Sequence, residues 1–154
     1  MKPFRFPLES LRVLRKQKEH AAQVRYARAL AACDKAAEQL QAAVAALTSA
    51  WENLVHELAA GSAAAKLVST RTWCTVLEIR RNERKAALAE ARRLAETAFQ
   101  EMLVASRDRE ALDRFFDRAS SIHELATRRE EQKHFDELAV QMSESPGALQ
   151  LKMN

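Results

Sequence analysis

The sequence predicts an all-α fold, an elongated antiparallel two-helix coiled coil that closes as a helical hairpin with a C-terminal helical overhang. Three observations carry this expectation. The 154 residues hold two glycines and three prolines, with neither residue type between Pro7 and Gly61 or between Gly61 and Pro146. Reverse turns and phosphate-cradling loops depend on glycine, so this scarcity argues against a sheet-rich fold and against a glycine-rich nucleotide loop. Thirty alanines stand against 6% aromatic and 30% charged residues, a composition suited to long helices with narrow seams. Finally, an apolar repeat of alternating four and three residues runs for more than four heptads through the first half of the chain.

The elements follow from the breakers. A helix continues until something interrupts it, so helix one is expected over about 8–60, a turn over about 61–69, helix two over about 70–143 and a tail over 144–154, all in one domain spanning 1–154. The seam of helix one reads Tyr26, Leu30, Cys33, Ala37, Leu40, Val44, Leu47, Trp51, Leu54 and Leu58. Continued backwards, this frame meets Gln23, Glu19 and Lys16, whereas the apolar residues are Leu8, Leu11 and Leu14, so a slip of frame is expected near residues 15–25. Helix two offers a noisier frame: Leu77, Leu88, Ala91, Ala95, Ala98, Met102, Ala105, Leu112, Phe116 and Ala119, with Arg81, Arg84 and Arg109 at seam positions. Long basic side chains can snorkel from such places.

Two helices with apolar stripes and a short connection fold back on each other. With the turn centred near residue 65, position i faces about 131 minus i, so Leu58 is expected beside Trp73, Tyr26 beside Ala105 and Leu8 beside His123. Helix two then overhangs, and Leu125, Phe135, Leu138 and Val140 have no antiparallel mate; an exposed amphipathic overhang is a docking element.

Charge and chemistry narrow the function further. The net charge is +4 and the pI about 9.3, with signs interleaved along most of the chain. Up to Arg28, Lys2, Arg5, Arg12, Arg15, Lys16, Lys18, Arg25 and Arg28 stand against Glu9 and Glu19, a local balance of +6. No apolar run approaches the roughly 20 residues that cross a bilayer, and the first residues lack the apolar stretch of a signal peptide. Cys33 and Cys74 are too few for a disulfide framework. Cys33 reads as a small seam residue. His20, His56, His123 and His134 are scattered, with no pair at the i, i+4 spacing of a helical metal site. Paired carboxylates need a cleft to shift their pKa values, and a two-helix coil has none. The expectation is a protein without catalytic site, metal or cofactor.

Several stretches together resemble the flagellar FliJ family: Phe4-x-Phe6-x-Leu8-x-x-Leu11-x-x-Leu14-Arg15-x-x-x-Glu19-x-x-Ala22, the central Ala37-Glu38-Gln39-Leu40, Leu112-Asp113-x-Phe115, and Arg128-Arg129-Glu130-Glu131-Gln132-Lys133-x-x-Asp136-Glu137-Leu138-Ala139. The resemblance implies a cytoplasmic, non-catalytic stalk or chaperone component of the flagellar type III export apparatus. Its partners would be the hexameric export ATPase, the cytoplasmic domain of the membrane export gate and export chaperones, with the membrane reached only through them. Carried onto this chain, ATPase docking falls on Arg12, Arg15, Lys16, Arg128, Arg129, Lys133, Phe135 and Leu138, which the hairpin gathers at the end holding both termini. Gate docking falls on Trp73 and Leu77, just after the turn. The stalk protein of a virulence injectisome shares this architecture and is the nearest alternative. A basic coiled-coil module for nucleic acid is the alternative from another class, opposed by the acidic residues that interrupt every basic run after Arg28.

Overall fold

The computed structural model describes residues 4–143, which form an all-α helical hairpin of two helices, α1 (Glu9–Ala59) and α2 (Ala64–Ser143). No strand occurs among the described residues. The expected tail at 144–154 and Lys2 lie outside them.

The connection is shorter than the sequence suggests, and α2 begins at Ala64 instead of near residue 70. Gly61 explains the sharp stop. Its φ of 70° is left-handed, and its N–H donates to the Leu58 carbonyl at 3.3 Å while the Ser62 N–H donates to the Glu57 carbonyl at 3.1 Å. These two bonds are the paired 5→2 and 6→1 bonds that close a helix C-terminus around glycine. The Lys66 and Leu67 N–H groups then bond the Ala63 carbonyl, so α2 starts at once in a run of good helix formers. Ser69 and Thr70, read as turn residues, are helical. The Thr70 hydroxyl donates to the buried Glu57 carboxylate at 2.8 Å, and Lys66 Nζ lies 3.4 Å from the same group, tying the two helices together beside the turn. No atom lies within 4 Å of where a Cβ at Gly61 would sit. Gly61→Ala should therefore cost only the left-handed backbone penalty, about 1 kcal/mol; in urea titrations Gly61→Asn should fall between it and the parent.

The tight turn shifts the register. Tyr26 packs on Phe99 with ring centroids 5.3 Å apart, Arg25 Nε lies 3.6 Å from Glu101, and Arg84 Nη1 donates to Gln39 at 2.9 Å. Position i thus faces about 125 minus i, and the expected pairs Leu58–Trp73, Tyr26–Ala105 and Leu8–His123 are replaced.

The chain divides into two units, residues up to 15 with those from 108 onward, and Lys16–Arg107. Lys16–Arg107 holds the apolar core: Leu47, Ala50 and Leu54 of α1 against Cys74 and Leu77 of α2, with Leu67 packed on them. Its α1 seam keeps one predicted column and replaces the other. Leu47 and Leu54 are buried, and Tyr26, Cys33 and Leu40 are half-buried. The companion column consists of Ala29, Ala36, Ala43, Ala50 and Glu57, three residues after each of these, while the predicted Leu30, Ala37, Val44, Trp51 and Leu58 are exposed. Alanine lets two backbones approach closely, and a larger side chain one position on is pushed to the flank of so narrow a seam. Half-buried Glu19 and buried Ala22 continue the spacing upstream, so a polar residue, Glu19, sits on the seam where a slip of frame was expected. On α2 the residues turned inward are Leu77, Leu88, Ala91, Ala95, Ala98, Met102 and Ala105, and Arg81 is half-buried among them.

The other unit pairs the chain start with α2 from Asp108. Phe4 and Phe6 precede α1, and their rings meet Phe116 at 5.7 and 5.1 Å. Phe6 also meets Phe115 at 5.8 Å, and Phe4 meets His123 at 5.3 Å. Leu112, Phe116 and Ala119 are half-buried here.

Candidate docking surfaces

Arg12 and Arg15 carry the expected basic face, and the structure turns both inward. Arg12 Nε donates to Asp113 at 2.8 Å and its guanidinium lies 4.0 Å from the centre of the Phe116 ring. Arg109 Nη1 donates to the second oxygen of Asp113 at 2.7 Å, and Arg15 pairs with Asp108. These arginines occupy the places on the α1 surface that Leu8, Leu11 and Leu14 were expected to fill, so those leucines are exposed. The hydrogen bond from Arg12, with a second from Arg109, holds the Asp113 carboxyl below the ordinary carboxylate range against the opposing effect of desolvation. Asp113 in turn raises Arg12.

A carboxylate whose pKa is lowered by folding contributes stability above its unfolded pKa and loses it as pH falls through the folded value. Contacts between the chain start and Asp108–His123 should therefore loosen as pH falls below about 4. Asp113→Asn should remove that part of the acid sensitivity, read as amide exchange along residues 4–15 against pH; an unchanged pH profile would rule the Arg12–Asp113 pair out as its source.

Along one side of the same unit, Leu8, Leu11, Arg15, Asp108, Ala111, Leu112 and Phe115 line an open groove of about 400 Å³. In the sequence its apolar walls were legible as the Phe4-to-Leu14 stretch, where Leu8 was assigned to His123, and as Leu112-Asp113-x-Phe115, but the two stretches were not read as one groove. Beyond His123, every residue from Glu124 to Ser143 except Thr127 is exposed. Arg128, Arg129 and Lys133 make no ion pair there among the described residues. Phe135, Leu138 and Met142 follow at i, i+3 and i+7, which puts three exposed apolar side chains on one helix face. Met142 was not singled out in the sequence, although that spacing was readable. Lys16 belongs to the other unit and is exposed there.

Near the turn, Trp73 is half exposed, but Leu77 is only 3% exposed. Leu77 lies in the core beside Cys74, Leu47 and Leu54 and cannot meet a partner without unfolding. Val76, three residues after Trp73 and exposed, takes its place on that face.

Among the described residues no group of three or more His, Cys, Asp or Glu side chains could hold a metal ion, and no helix is long and apolar enough to cross a membrane. A family model described as "Flagellar FliJ protein" matches residues 4–147, nearly the whole chain. No match was found among curated proteins or solved structures. The matched span takes in both helices, the aromatic cluster of Phe4 and Phe6, and the exposed Arg128–Ala139 block, and on that coverage the chain belongs to the flagellar FliJ family.

Proposed function

We propose that this protein is a non-catalytic stalk component of the flagellar export apparatus, docking on the hexameric export ATPase through the unit that holds its chain start. Family membership supports an export-related flagellar role. The observation that carries the finer reading is the bare end of α2. Glu124–Ser143 presents Phe135, Leu138 and Met142 on one face together with the cations Arg128, Arg129 and Lys133, and among the described residues these side chains are exposed and the cations make no ion pair. Apolar anchors supply buried area, and the cations supply complementarity to an acidic surface of a ring.

Arg12 and Arg15 serve this surface indirectly. Held by Asp113 and Asp108, they fix the chain start against α2 and shape the groove of Leu8, Leu11 and Phe115, which adds apolar surface to the same unit. Trp73 and Val76 beside the turn are the contact for the cytoplasmic domain of the export gate, and export chaperones are further partners. The protein acts in the cytoplasm, at the membrane only through these partners. The test is association with the export ATPase measured for the intact chain and for a chain ending at Leu125, with gate binding by Trp73→Ala as the parallel arm. Loss of ATPase binding by the shortened chain alone is the expected result; full binding by it would move the site elsewhere.

A further inference from the structure

The alanine column that closes the hairpin leaves a second stripe uncovered. Leu30, Val44, Trp51 and Leu58, with Ala37 between the first two, recur every seven residues along α1 of Lys16–Arg107, and all five are exposed. Side chains at that spacing hold one line along a supercoiled helix. Their arrangement is nearly symmetric about Val44: leucine at both ends, alanine fourteen residues from tryptophan, and valine midway.

A second feature spans this centre. Gln39–Trp51 contains no Asp, Glu, Lys, Arg or His, thirteen consecutive residues without a titratable side chain in a chain that is 30% charged. Its exposed positions beside the stripe are small or neutral: Gln41, Ala42, Ala45, Ala46, Thr48 and Ser49. A charged partner would find no complement on this face. Along Gln39–Trp51 an identical face brings no like charges together and presents small residues that permit close helix approach.

We propose that this stripe is a self-association surface, on which a second copy of the chain packs α1 against α1 in antiparallel sense with the two-fold axis at Val44. Residue i then meets about 88 minus i of the copy. Leu30 lies on Leu58, the bulk of Trp51 fills the space left by Ala37, and the two Val44 side chains meet. At the rim formed by α2, Glu78 and Lys85, neither of which makes an ion pair among the described residues, come level with each other across the axis, while Arg71 comes level with Arg92. The attractive and repulsive pairs offset each other, so the dimer depends little on salt. Four large apolar side chains per copy place the interface at the small end of specific contacts, with dissociation in the micromolar range or weaker.

Disulfide trapping tests the axis directly, in the full chain with Cys33→Ser to remove the half-buried native thiol; Cys74 is fully buried. Val44→Cys should form a disulfide-linked dimer about tenfold or more faster than Gln100→Cys, an exposed α2 position away from the stripe. Leu30→Cys alone should not trap, because its copy lies on the far side of the axis, whereas a mixture of Leu30→Cys and Leu58→Cys should. Sedimentation equilibrium of the unmodified chain should show concentration-dependent dimer that Val44→Glu abolishes while helicity is unchanged. Equal trapping at positions 30, 44 and 100 would show random collision and overturn the proposal, as would a monomer at every concentration up to about 1 mM.

Discussion

Leu54→Ala should lower the stability of the hairpin by about 2 to 4 kcal/mol, and Leu47→Ala by a similar amount. Both leucines are buried between α1 and α2, where they meet Ala50, Cys74 and Leu77. The residues around them are small or already in close contact, so the helices cannot close over the space that truncation leaves, and the loss combines transfer of the side chain with a residual void. Trp51→Ala and Leu58→Ala give the contrast. They fall on the same predicted seam, yet Trp51 is 39% exposed and Leu58 57%. Measured by thermal melts on dilute protein, each should cost under about 1 kcal/mol. A Trp51→Ala variant as unstable as Leu54→Ala would show that the helices meet on the other flank of the heptad.

That contrast marks how far the sequence carried the fold. Breaker spacing and alanine content were enough for an all-α hairpin, because a helix without glycine or proline has no local reason to stop. The choice between two flanking columns was not legible from hydrophobicity, which favours Leu30, Val44, Trp51 and Leu58 over the alanines. Close approach of backbones decided it, and that benefit belongs to the pair of helices, not to either stripe alone. The register error has a local origin. Placing the turn's centre near residue 65 treated about 61–69 as turn, whereas the capping bonds around Gly61 need only Ala60–Ala63. Three residues at the centre became six in the facing position.

The docking surfaces were legible in a different way. The exposed end of α2 followed from counting, since a helix that outruns its partner leaves its apolar side chains without cover. Leu77 misled because position after a turn says nothing of direction; a residue four places from Trp73 can sit in the core while Trp73 faces water. Arg12 and Arg15 misled because net charge counts cations without showing which carboxylates they meet. Asp108 and Asp113 lie more than ninety residues away, and only the fold brings them together.

A chain ending at Leu125 should lose association with the export ATPase while the rest of the hairpin survives. The core around Leu47, Leu54, Cys74 and Leu77, and the contacts that Phe4, Phe6 and Arg12 make with Asp113, Phe115, Phe116 and His123, all lie before Glu124, so none of them is removed. Helicity should fall only by the missing turns, and the melting transition of the core around Leu47 and Leu54 should stay in place. The removed stretch carries Phe135, Leu138 and Met142 together with Arg128, Arg129 and Lys133. Truncation of one well-packed anchor costs on the order of 1 to 2 kcal/mol of binding, so losing the face should weaken association by about a hundredfold or more. Phe135→Ala with Leu138→Ala, in the full-length chain, should reproduce most of that loss, which separates loss of contact from loss of helix length. Added salt should weaken binding of the intact chain, because the three cations act through an exposed, screened field. If the double variant binds the ATPase as tightly as the parent while the shortened chain does not, the anchors are the cations; if both bind fully, the groove of Leu8, Leu11 and Phe115 carries the contact, and substitutions there become the ones that abolish it.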